Sequence, residues 1–315
     1  MLVRDIADPG RYDSLYVAPS LLGVLLSCAG RLCEEQRDQG LRALVVALHD
    51  PAGDEPMPEV VRALDDVGAD LLQAGLPRHA LGCDRCSVVE PGPEDEQRRH
   101  EIARLLNDLR YRTEVKHAFL PLGAGGHVDH RVALDAGLEA FQVEAPRNVF
   151  LYEERPQLFV PASIRTRLGQ IGARLPPASE VSDDAGLIRF LLGFGTARYL
   201  RQELEMMPRL RCARVAAREW RASRAWQPAK ARGIRLQPVL QRADLGPVQQ
   251  TLETVGSQLA LLYGSSEKAF RQALAYSRRL GRDGEYVERY WLLLPPREEG
   301  GARTIPPGTS SSSAA

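Results

Sequence analysis

The sequence predicts an α/β fold, a Rossmann-like parallel sheet with helices on both faces. Two observations carry this. Across residues 12–160 of the 315-residue chain, short aliphatic runs alternate with amphipathic stretches, and strands that alternate with helices build parallel sheets covered on both sides. A glycine-rich loop, Pro121 to Gly126, follows one such run and opens a helical stretch. Loops after the carboxyl ends of strands are where such sheets place their sites.

The elements follow in order. Leu15–Ala18 is a short apolar strand, and a helix is expected from Leu21 to Gln39. Leu41–Leu48 reads as a buried strand, because a continuous β-branched and aliphatic run suits a strand covered on both faces. A loop follows from Asp50 to Pro58, then a helix over Pro58–Val67 and a strand over Ala69–Ala74 that runs into Gly-Leu-Pro. A polar-faced helix covers Glu94–Tyr111, a strand Val115–Pro121, a helix Val132–Phe141 and a strand Asn148–Tyr152. The second half is more helical, with helix-compatible stretches at Asp184–Glu205 and Gly246–Tyr276, and an aromatic-rich last strand at Tyr286–Leu294. The expected organisation is one domain over residues 1–295, with its core sheet in 12–160 and a helical remainder in 161–295. Residues 296–315 are rich in Gly, Pro and Ser, the composition of a disordered tail.

Composition narrows the function. Hydrophobic residues make up 44% and charged residues 26%, enough for a sizeable core. Lys+Arg and Asp+Glu balance at 41 each, so there is no overall field to attract nucleic acid or an anionic membrane. The basic stretch Arg209–Arg235 reads as a solvated face, with Trp220 and Trp226 inside it as candidates for sugar stacking; Trp291 is expected in the core. The uncharged run Leu15–Gly30 contains Leu-Leu-Ser-Cys, but acidic residues outnumber basic ones before it, and it is short for a membrane span. It reads as strand, turn and helix start. Five cysteines form no disulfide scaffold and fit a reducing, cytoplasmic setting.

The chemistry concentrates in Gly-Gly-His127-Val-Asp129-His130-Arg131. Two imidazoles three residues apart at a helix start face one point, and Asp129 between them can fix a tautomer. The loop lacks G-x-G-x-x-G and any following Lys-Ser/Thr, which argues against a phosphate cradle. A structural histidine network and a metal or acid–base site both remain open.

This segment resembles the H-x-D-H segment of the PIG-L/LmbE-like zinc N-deacetylases. Other segments resemble that family in the right order. Val17-Ala-Pro-Ser20-Leu-Leu22-Gly23-Val-Leu-Leu-Ser-Cys28-Ala-Gly30 is similar to A-P-H-x-D-D-E-V-L-S-C-G-G, and Ala69 to Pro77 to a strand ending in G-L-P. Tyr152-Glu-Glu-Arg-Pro156 is similar to Y-E-D-x-P-Y, Tyr263-Gly-Ser265-Ser to Y-x-S-Q, and Glu288-Arg-Tyr-Trp291 to E-R-F-W. The resemblance spans residues 12–294. It implies a zinc-dependent hydrolase of linear amides that deacetylates N-acetylated sugars, with zinc held by two residues of the first motif and by His130. It also implies a general-base Asp in the first motif, and His127 with Asp129 beside the oxyanion.

The first motif departs from the pattern. Ser20 stands at the ligand His, Leu22 at the general base, Gly23 at the ligand Asp and Val24 at the following Glu. His130 alone remains of the implied ligands, whereas a catalytic zinc needs about three from the protein. Substitutes are available in loops at the same edge: His49 and Asp50 after the second strand, His79 after the third, and Cys83 and Cys86 in a C-x-x-C. The C-x-x-C also admits a separate metal or redox module. Tyr152-Glu153-Glu154 offers carboxylates that could orient His127 or His130. The expectation is a protein without the usual zinc site that binds an N-acetylated sugar, a glycosylated small molecule or a protein partner. The alternative is a divergent N-deacetylase using His127, Asp129 and His130 with a rebuilt or absent metal site.

Overall fold

The structure, a computed structural model, describes residues 2–3, 12–39, 42–49, 58–76, 93–113, 115–124, 128–141, 148–155, 163–173 and 234–294. Asp184–Glu205, Trp220, Trp226 and the tail lie outside these residues, as does nearly all of the basic stretch. The strands are β1 (Leu2–Val3), β2 (Tyr12–Ala18), β3 (Arg42–His49), β4 (Ala69–Leu76), β5 (His117–Pro121), β6 (Asn148–Tyr152), β7 (Arg235–Ala243) and β8 (Tyr286–Leu294). The helices are α1 (Leu21–Gln39), α2 (Pro58–Asp66), α3 (Pro93–Thr113), α4 (Val128–Phe141) and α5 (Ser163–Gln170), then α6 (Leu245–Thr254), α7 (Gly256–Tyr263) and α8 (Ser266–Arg279).

Among the described residues the eight strands form one sheet in the order β1-β4-β3-β2-β5-β6-β8-β7. The run from β1 to β6 is parallel, as the alternation of elements requires. β8 then pairs antiparallel with β6, and β7 antiparallel with β8. Side-chain alternation splits the core into two layers. Leu15, Val17, Leu44, Val46 and Leu48 join residues of α3, α4 and α5 on one face. Tyr16, Ala18, Val45 and Ala47 join α1, α2, α6, α7 and α8 on the other. Among the described residues no helix is long and apolar enough to cross a membrane.

Two features position the site. From β2 the chain moves outward through β3 and β4, then crosses to β5 on the other side of β2. The loops after β2 and β5 therefore part, which opens a crevice at their carboxyl ends. The second feature anchors α1. Glu288 of β8, fully buried, accepts N–H bonds from Gly30 at 2.8 Å and Arg31 at 3.0 Å, and the Tyr290 hydroxyl at 2.7 Å. Gly30 permits this approach, since a Cβ there would fall 2.4 Å from Ala243 Cβ.

Burial pushes the Glu288 carboxyl above the ordinary carboxylate range, with the Arg155 charge and these donors opposing. A raised folded-state pKa means that the folded chain holds a proton the unfolded chain releases. The contribution of Glu288 is thus complete below the ordinary value and is lost as pH rises through the folded one. Glu35, buried beside Arg31, is raised for the same leading reason. Urea unfolding of Glu288→Gln and wild type, compared between about pH 5 and pH 8, should show the variant gaining relative stability as pH rises. A constant difference would refute this account of Glu288.

Candidate functional site

The crevice has two walls. The first is the start of α1. β2 ends at Ala18, and Ser20 precedes the helix, its Oγ accepting the Gly23 N–H at 3.4 Å. That is the geometry of a helix N-cap. Leu22 and Gly23 lie in the first turn and are partly exposed, while Val24 is fully buried. The first turn of α1 carries no acidic residue.

The second wall is β5, its following loop and α4. The helix starts at Val128, four residues earlier than the sequence suggests, so Asp129 and His130 lie in its first turn. His130 Nδ1 is 3.0 Å from Glu154 Oε1. Glu154, fully buried just past β6, also accepts Gly123 N–H at 2.7 Å on Oε1 and Ala124 N–H at 3.2 Å on Oε2. A carboxylate only accepts, so the hydrogen between the two groups is donated by Nδ1. Of the two carboxylates suggested as partners, Glu154 makes the contact. Glu153 instead binds Arg289 and Trp291, at 2.7 and 2.8 Å.

Arg167 of α5 fixes the loop from behind, donating to Leu122 O at 2.9 Å. Gly123 has φ +78°, and a Cβ there would meet Arg167 Nε at 2.8 Å. Both the turn and the packing therefore require glycine at this point.

Asp129 approaches the far side of the crevice, with Oδ1 3.9 Å from His49 Nε2 and 3.6 Å from Arg98 Nη1. His49, the last residue of β3, has Nδ1 3.4 Å from Leu76 O. Arg98 also meets Asp95 at 3.2 Å. Sequence reading missed Arg98 and Arg167: they come from helices distant in the chain from the start of α4 and the loop before it, which they respectively meet, and an arginine in a polar helix carries no signal of such a contact.

The structure thus brings Ser20, Leu22 and Gly23 to one wall and Asp129 and His130 to the other, with His49 at the adjoining strand end. His127, Asp50, His79, Cys83 and Cys86 lie outside the described residues. A zinc would need three or four converging ligands. Among the described residues no group of three His, Cys, Asp or Glu side chains is placed to hold a metal. The hydroxyl at Ser20 is engaged in capping, and Leu22 and Gly23 supply no donor atom. These residues do not fit a zinc ion.

No family model and no curated protein sequence matches the chain. Solved structures do. The A40926 pseudoaglycone deacetylase Dbv21 aligns with TM-score 0.56 at 17% identity, covering 92% of this chain and 100% of its own. The zinc-inhibited form of teicoplanin deacetylase Orf2 aligns with TM-score 0.59 at 18% identity, covering 90% and 99%. A deacetylase–teicoplanin complex aligns with TM-score 0.55 at 15% identity, covering 89% and 98%. At these identities the likeness establishes the fold, which is the LmbE-like α/β architecture of these deacetylases.

Proposed function

We propose that this chain is a divergent PIG-L/LmbE-like protein whose crevice binds a sugar-bearing ligand without hydrolysing it. The ligand class follows from N-acetylated sugars, the substrates the resemblance implies, and from teicoplanin in one of the similar structures. The observation that carries the reading is the first turn of α1. Ser20, Leu22 and Gly23 stand where the resemblance puts a ligand His, a general base and a ligand Asp, and Ser20 serves as a cap instead. The opposite wall retains His130, its Nδ1 held by the buried Glu154 carboxylate.

One observation favours a second reading. An imidazole whose Nδ1–H is held by a buried carboxylate is the arrangement of a general base. His130 with Glu154, joined by His127 and Asp129, would then serve a divergent amide hydrolase.

The two readings separate in one set of measurements. Protein purified without a histidine tag is analysed for metal by mass spectrometry, then offered N-acetylglucosamine and a teicoplanin-type glycopeptide. Calorimetry should show binding, with no free amine released and with less than one zinc per chain. His130→Ala should weaken that binding by about tenfold, the worth of one good hydrogen bond in a buried site. Stoichiometric zinc together with amine release abolished by His130→Ala would overturn the first reading. Amine release without metal would establish the second.

A further inference from the structure

A charge on the packed face of a helix needs a reason, because arginine is seldom buried without a partner. α3 has two buried arginines, Arg98 and Arg110. Both reach across to α4, at opposite ends of it. Arg110 donates to Ala140 O at 3.1 Å, in the last turn of α4. Arg98 Nη1 lies 3.6 Å from Asp129 Oδ1, in the first turn. The Arg110 tie fastens the helix end remote from the crevice. The Arg98 tie fastens the end that carries His130.

That end depends on such ties. The first N–H groups of a helix have no intrahelical acceptor, so a first turn relies on its neighbours for its position. Successive side chains leave a helix about 100° apart, and Asp129 and His130 accordingly turn to different partners. His130 is held by Glu154, just past β6. Asp129 is met by Arg98 of α3 and, at 3.9 Å, by His49 at the end of β3. Arg98 is itself set by its own helix. Asp95, buried one turn earlier, lies 3.2 Å from the same Nη1. A guanidinium held there has little freedom to leave Asp129.

We infer that Arg98 is a positioning residue of the crevice: acting through Asp129, it fixes the first turn of α4 and so the direction of the His130 imidazole. This rests on the ligand-binding reading above and adds the device that prepares its second wall. Both carboxylates meet one atom of Arg98, so the tie is that of a point charge rather than of a two-pronged fork. A lysine can therefore serve in its place.

The test has two readouts. Nitrogen NMR of the free protein reads the ring nitrogens of His130, assigned with His130→Ala, and calorimetry reads affinity for N-acetylglucosamine. Arg98→Met should shift the His130 signals and leave those of His117, at the far end of β5, in place. It should weaken sugar binding at least about fivefold, the order of one lost hydrogen bond. Arg98→Lys should recover most of both. Arg110→Met, which removes the other buried arginine of the same helix, should lower the melting point and change neither readout. Unmoved His130 signals in Arg98→Met, or an equal effect from Arg110→Met, would overturn the inference while leaving the crevice reading intact. If wild type does not bind the sugar, the crevice reading falls, and the His130 signals still decide the role of Arg98. Should Arg98→Met fail to fold, Arg98→Gln, which keeps a donor for Asp95 and loses the charge, is judged by the same two readouts.

Discussion

Glu153→Ala should destabilise the fold by about 3–5 kcal/mol, the cost of removing one partner from a buried ion pair. The carboxylate lies just past the end of β6, 3% exposed. Its Oε1 accepts Arg289 Nε at 2.7 Å and Trp291 Nε1 at 2.8 Å, and its Oε2 accepts the Tyr276 hydroxyl. It therefore ties β6 to β8 and α8 at the junction where the sheet turns antiparallel. Burial disfavours the charge on Arg289, and Glu153 more than offsets this, so the guanidinium pKa is raised. Alanine leaves that charge buried with the Trp291 and Tyr276 rings 5.0 and 5.9 Å away, and cation–π attraction replaces only part of a carboxylate. Urea unfolding measures the loss. The pair Glu153→Ala with Arg289→Leu should be more stable than Glu153→Ala alone, because it also removes the buried charge that the carboxylate had balanced. A single variant within about 1 kcal/mol of wild type, the ordinary spread of mild substitutions, would refute the account.

Of the parallel strands, β2 to β6 were legible from short apolar runs, Leu41–Leu48 for β3 at Arg42–His49 for example, whereas β1, two residues long, was not read. Nor was β7. Its sequence Arg-Leu-Gln-Pro-Val-Leu-Gln-Arg-Ala contains Pro238 and lacks a clean alternation. Both are tolerated because it is the edge strand of the sheet, and a proline on an edge need forfeit no ladder bond. The helix-compatible stretch Gly246–Tyr276, whose breaks the sequence reading did not place, is covered by three helices. Gly264 at φ +87° ends α7, and Ser265 caps α8 by accepting Lys268 N–H at 3.2 Å. A glycine followed by a serine is a stop and a start, so this break was present in the sequence as cap chemistry that a hydrophobic period hides. In the site, the loop histidines announced themselves through spacing. Glu154 could be suspected only through its neighbours in Tyr152-Glu153-Glu154, since which of two adjacent carboxylates turns to His130 depends on where β6 ends.

The largest functional effect should come from reversing the first turn of α1. Ser20→His with Gly23→Asp, added to His130, restores the three protein ligands that the resemblance assigns to zinc. The backbone should accept both changes. A Cβ at Gly23 meets only ordinary contacts. An Asp in the first turn of a helix is favoured by the dipole, and it replaces a residue of lower helix propensity. Loss of the Ser20 cap costs about 1 kcal/mol and is offset in part by these gains. On the other wall, Glu154 already holds His130 by Nδ1, the outer support that ligating histidines commonly have. The double variant should therefore fold with a melting point near that of wild type. It should retain about one zinc per chain after dialysis, whereas wild type should not. Leu22→Asp as a third change adds the carboxylate that the resemblance assigns to proton abstraction, so amine release from an N-acetylated sugar would be confined to the triple variant. If the folded double variant holds no zinc, His130 does not face the start of α1 as the likeness requires. The correspondence between this chain and the deacetylases would then end at the fold.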